Sequence, residues 1–237
     1  NAIGVGPMAH GKRSILTDVT TAPGRDIFER LVSWADVVTH NILDDTAQRL
    51  GVSHAQLQAI NPKIVSCQVS AYGAPHRCGW ENRPGYDNVV QGVSGLMTQY
   101  GTLEAPQDHG GIACTDLSGG LNLAFAALLG VFQQRKTGYG AEGRASLARA
   151  ANYYQLPFMI ADSNGSTDWG EPRGQFTMGE NWTQRIYKCC DGWIYVGTGL
   201  DRASVLAEAV TGCQDTDERS LEEAFAVQTS EHWQSVL

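Results

Sequence analysis

Between residues 12 and 73 the chain alternates strand-like and helix-like apolar patterns, and that alternation restricts it to few folds. KRSILTDV (12–19) is rich in alternating and β-branched residues and predicts a strand. After the breaker Ala22-Pro23-Gly24, RDIFERLVSWA places Ile27, Leu31 and Val32 at helical spacing. DVVTHNI (36–42) is again a short apolar strand. Ser53-His54-Ala55-Gln56 has the form of a capping box, and the helix it opens ends before Asn61-Pro62. KIVSCQVSAYG (63–73) is the next strand. A β-α-β-α-β order predicts a parallel sheet with helices on its faces.

Residues 74–111 are rich in loops and enclose one apolar stretch, YDNVVQGVSGLM. A long Ala- and Leu-rich helix follows from the Asp116-Leu-Ser-Gly-Gly turn and stops at Gly138. GRASL then predicts a short strand, and ARAANYYQLPFMI a helix disturbed at Pro157. The polar segment 162–182 has the composition of a linker. RIYKCC-DG-WIYVG predicts a hairpin with an Asp-Gly turn. Helices are predicted after Asp201 and after Ser220, the latter from Ser-x-x-Glu. The division expected is a large α/β domain over 1–161, a linker over 162–185 and the start of a small α+β domain over 186–237. The chain opens without Met and closes inside a helical pattern, as a piece of a longer protein would.

Several functions are disfavoured by composition. A net charge of −8 with no Lys/Arg cluster argues against nucleic-acid binding. The longest apolar run, Leu121–Phe132, is too short to span a bilayer and suits a buried core helix, so no membrane partner is expected. Six cysteines without C-x-x-C spacing, and six scattered histidines, predict no metal site and a reducing, cytoplasmic setting. VGTGLDR (196–202) lacks the third glycine of a dinucleotide loop and follows a hairpin strand, which leaves a nicotinamide dehydrogenase with little support. No G-x-S-x-G elbow is present.

Asp116 opens the long helix, and two readings of it stand side by side. As an N-cap its carboxylate accepts a backbone N–H and adds about 0.5–2 kcal/mol of stability. As a nucleophile it uses the same position, held ionised by the helix N-terminus. Gly119 and Gly120 would then leave room for a substrate, with nearby N–H groups holding an oxyanion.

GKRSILTDVTTAPGRDIFERLVSWADVVTHNILDDTAQRLGVSHAQLQAINPKIVSCQVSAYG, RPGYDNVVQGVSGLMTQYG, DLSGGLNLAFAALLGVFQQRKTGYG and RIYKCCDGWIYVG together resemble the family III CoA-transferases, the CaiB/BaiF family, over nearly the whole chain. The resemblance implies a Rossmann-like large domain, part of a small α+β domain and a homodimer of interlocked subunits. It also implies CoA transfer from an acyl-CoA to a carboxylic acid, with coenzyme A as substrate and no tightly bound cofactor. Asp116 matches the family's catalytic aspartate, which forms a mixed anhydride and then an aspartyl-CoA thioester. By the same resemblance Asn41 contacts CoA from a strand end, and Arg49 lies near the CoA phosphates, where a guanidinium fork is suited. Asp87 lies near the reacting centre, Arg83 stands where the family has a basic residue, and the glycine-rich flap falls in 174–181 with Gly174 and Gly179.

The chain also departs from that pattern. Thr20 stands where many members have lysine, and the family's first strand and turn are missing. Relatives that racemise α-methylacyl-CoA carry histidine where this chain has Tyr86, whose ordinary pKa near 10 makes a poor base. Transfer is therefore favoured. The alternatives are a racemase or isomerase of the same fold, and a non-catalytic CoA-binding or scaffolding half of a larger protein.

Overall fold

The computed structural model describes residues 9–73, 79–80, 82–111, 113–161, 163–165 and 174–237. The chain separates into two compact units, one of residues 1–94 and 109–155, the other of 95–108 and 156–237. The segment 95–108, placed with the large domain by sequence, is thus counted with the second unit.

The first unit is built on three parallel strands: β1 (Val37–His40), β2 (Val65–Ser70) and β3 (Ala141–Ser146), adjacent in that order. The parallel sheet expected from the alternating pattern is present, but KRSILTDV is not one of its strands. Residues 12–17 form no regular structure, and Leu16 is 99% exposed, so the alternating side chains have nothing to pack on. An Asp18 turn accepting from Thr20 ends the segment, and Thr21 caps helix α1 (Ala22–Trp34). A helix unexpected from sequence, α2 (Asp44–Leu50), precedes α3 (His54–Ile60). In α3 the N–H and hydroxyl of Ser53 both donate to Gln56. Val32, Leu57 and Ile64 form the core between α1, α3 and the sheet.

Two further helices, α4 (Asp87–Ser94) and α5 (Leu96–Tyr100), occupy the stretch read as loop-rich. The long helix α6 (Cys114–Thr137) follows and ends on left-handed Gly138. A glycine stripe brings α6 close to the sheet. A Cβ on Gly130 would fall 2.5 Å from Val65, and one on Gly119 would meet Leu147 at 3.2 Å and Val69 at 3.6 Å. Val65 begins β2 and Val69 lies near its end, so α6 runs antiparallel to the strands and starts at their carboxyl edge. Helix α7 (Leu147–Met159) continues from β3 through Pro157.

The expectation that α6 is buried does not hold among the described residues: Leu121 is 72% and Leu128 69% exposed. By length and composition α6 could also cross a membrane, contrary to the reading from the 12-residue run. In this fold its glycine side lies on the sheet.

In the second unit, β4 (Gly179–Asn181), β5 (Gln184–Lys188) and β6 (Trp193–Gly197) form an antiparallel sheet. The predicted hairpin is β5–β6, closed by the Cys189 N–H on the Gly192 carbonyl. The linker expected over 162–185 therefore contains strand, and part of it (162, 166–173) lies outside the described residues. Helices α8 (Ala203–Thr211), α9 (Glu218–Ala226) and α10 (Ser230–Val236) pack Leu206, Phe225 and Trp233 against Tyr187. Asp217, rather than Ser220, caps α9, accepting the Ser220 N–H at 2.7 Å.

Candidate active site

Gly85 starts the construction of the site. A Cβ there would lie 2.5 Å from that of Ala71, so only glycine lets this segment press on the residues following β2. That approach delivers Asp87, the first residue of α4, to the carboxyl edge of the sheet, where α6 begins.

Asp87 caps α6 from outside that helix. Its Oδ1 accepts the Thr115 N–H (2.7 Å), the Asp116 N–H (3.1 Å) and the Thr115 hydroxyl (2.6 Å). Its Oδ2 accepts from Gln91 Nε2 at 2.6 Å. Gln91 is fully buried and accepts the His109 N–H at 3.1 Å, tying α4 to the segment that leads into α6. Burial works to raise the Asp87 pKa, but the Thr115 and Gln91 side chains and the two backbone donors outweigh it and hold it below its ordinary value.

Asp116 is consequently not an N-cap. Ala113 occupies the cap position without a side-chain bond, and Asp116 is the third residue of the helix. Among the described residues its exposed carboxylate accepts no hydrogen bond and pairs with no cation. Its pKa is raised, first by partial burial and then by the Asp87 charge. Two first-turn N–H groups that would favour its ionised form, those of Thr115 and Asp116, go to Asp87 instead. The two carboxyls are driven apart in acidity, the pattern by which a site gives two acids different tasks.

Gly119 and Gly120 are the sixth and seventh residues of α6, so their N–H groups belong to the helix ladder and are not free for an oxyanion. Gly119 is a packing glycine. Gly120 is different: nothing lies within 4 Å of a Cβ built on it. It sits one turn beyond Asp116 on the same face, and helical side chains lean toward the N-terminus, over the preceding turn. The missing side chain keeps Asp116 open.

Asn41 is exposed one residue beyond the carboxyl end of β1. Arg49 is exposed in the last turn of α2, donating to Thr46 at 3.3 Å. Arg83 is exposed with its guanidinium 5.0 Å from the Trp80 ring centre, and Trp80 meets Tyr72 edge-on. Asp87, Asp116 and Gly120 are brought together, and Asn41 shares their sheet edge. Gly174 and Gly179 belong to the second unit, where Gly179 allows close pairing with Gln184 and Arg185. Thr20 donates to Asp18 through both its N–H and its hydroxyl.

Sequence reasoning missed Thr115 and Gln91, the two buried residues that hold Asp87. Gln91 carried a signal: it follows Asp87 at i, i+4, a spacing that pairs side chains once 87–94 is recognised as helix.

A sequence profile of CoA-transferase family III matches residues 4–237. The CoA-transferase/lyase DddD of Marinomonas sp. (strain MWYL1) is 30% identical over 227 residues, covering 94% of this chain and 27% of that protein. The succinate–glutarate CoA-transferase of Agrobacterium fabrum is 32% identical over 130 residues, 55% of this chain and 32% of its own length. The chain thus spans about a third or less of these relatives. A CaiB/BaiF family protein from Brucella suis shares the fold, with a TM-score of 0.72 at 22% identity over 95% of this chain and 63% of that one.

Proposed function

The chain belongs to CoA-transferase family III, and on that premise we propose that it moves CoA from an acyl-CoA to a carboxylic acid, with Asp116 as the nucleophile. The observation that carries the reading is the Asp116 carboxylate, without a bonding partner among the described residues and open beside Gly120, while the neighbouring Asp87 accepts from four donors.

The Asp116 carboxylate adds to the thioester carbonyl of the donor; the C–S bond breaks, leaving an aspartyl–acyl anhydride and CoA thiolate. The thiolate then attacks the Asp116 carbonyl, releasing the donor acid and leaving an aspartyl-CoA thioester. The acceptor carboxylate attacks that thioester, and the thiolate released takes the acceptor acyl group from the second anhydride. This restores the Asp116 carboxylate. Asp87 stays ionised throughout and fixes the first turn of α6. Asn41, Arg49 and Arg83 are assigned to CoA, and Gly174 and Gly179 to a flap. A homodimer completes this reading.

The test is peptide mass spectrometry after incubation with a panel of acyl-CoAs and hydroxylamine. A hydroxamate on the Asp116 peptide, absent in Asp116→Asn, supports the reading. A protein that binds CoA but gives no adduct sinks it. Solvent deuterium incorporation α to the thioester without an acceptor would point to racemisation instead.

A further inference from the structure

The turn presenting Asn41 is held from all three strands of the parallel sheet. His40, Gln68 and Arg144 are in register across β1, β2 and β3. His40 Nδ1 accepts the Ile42 N–H at 3.2 Å, so this ring nitrogen carries no proton. Gln68, almost wholly buried, donates to the Ile42 carbonyl (2.6 Å) and to Asp44 Oδ1 (2.9 Å). Arg144 Nη1 contacts both Asp44 oxygens (3.1 and 3.0 Å) and donates to Gln68 Oε1 at 2.9 Å. Glu142 accepts from Arg144 Nε at 2.9 Å, which fixes the guanidinium plane. Asn41 is therefore bracketed: Ile42 is bonded through both its N–H and its carbonyl, and Asp44 opens α2, the helix that carries Arg49.

We infer that Gln68 and Arg144 are positioning residues for CoA binding, acting through Ile42 and Asp44 to set the Asn41 turn and the start of α2. This rests on the reading above that Asn41 and Arg49 meet CoA. Gln68 faces away from α6, since Val65 and Val69, which meet α6, lie on the opposite side of β2. The network consequently touches neither Asp116 nor Asp87. Both members of the Arg144–Asp44 pair are partly exposed, and such a pair adds little to global stability. Its effect falls on geometry, and so on affinity in preference to chemistry.

The experiment measures CoA affinity of the unaltered chain, Arg144→Met, Asp44→Asn and the double variant, together with melting temperature and hydroxamate yield at saturating acyl-CoA. Each single variant is expected to weaken CoA binding about tenfold, and the double variant no more than the weaker single, because both break one brace. Melting temperature and saturated yield stay near those of the unaltered chain, and Arg144→Lys recovers part of the affinity. Unchanged affinity in both single variants, or losses that add, overturns the inference alone. An unaltered chain that binds no CoA overturns the proposed function and this inference with it. If Arg144→Met does not fold, the near-isosteric Asp44→Asn decides.

Discussion

Asp87 accepts the backbone N–H of Asp116 at 3.1 Å, so one carboxylate caps the helix on which the other stands. Because the Thr115 and Asp116 N–H groups go to Asp87, Asp116 has an unfavourable charged neighbour and, among the described residues, no compensating hydrogen bond.

Opposite pH dependences follow for the two carboxyls. Asp87 has a lowered folded-state pKa, so its stabilisation is present above the unfolded value near 4 and is lost as pH falls through the folded value. Asp116 has a raised one, so its stabilising protonated form is present below the unfolded value and lost as pH rises through the folded value. Urea melts from pH 3 to 7 should show Asp87→Asn losing stability most at neutral pH and Asp116→Asn gaining there. Parallel profiles for all three proteins would contradict this.

Thr115→Val keeps the shape of a fully buried side chain while removing the hydroxyl donated to Asp87. The expected loss is about 1–2 kcal/mol at pH 7, measured by denaturant unfolding. It should shrink toward pH 3, as the Asp87 carboxylate protonates. A loss independent of pH would indicate packing damage instead.

Gly120 and Gly130 lie on one helix but should answer oppositely to alanine. At Gly120 the space is open, and alanine gains about 0.5–1 kcal/mol from helix propensity. At Gly130 the new methyl meets Val65 and costs about 1–3 kcal/mol by overpacking. Thermal melts of the two variants check the pair.

Gly120→Leu separates folding from access to Asp116. The added side chain leans over the preceding turn, where Asp116 stands. Hydroxamate labelling of Asp116 should drop at least about tenfold while the melting temperature holds. Labelling at the unaltered level would remove Gly120 from the site.

The parallel α/β character, the Gly138 stop and the β5–β6 hairpin were legible in the residues alone, because each rests on periodicity or on a residue's own backbone preference. The sequence also singled out Asp116, through motifs shared with a family. It misjudged 12–19 as strand, since alternation states only that a strand could form; a partner decides whether it does. It left Asp116 readable as a helix cap as well as a nucleophile, and set Gly119 and Gly120 beside an oxyanion. The cap comes from Asp87, 28 residues before Thr115, and is delivered by the close approach at Gly85. Helix α6 was expected to be buried, yet among the described residues only its glycine side is covered. Which N–H groups remain free, which carboxyl carries the higher pKa and which face is packed depend on distances between segments far apart in the chain. Those distances exist only once the sheet has brought Gly85, Asp87 and the start of α6 to one edge.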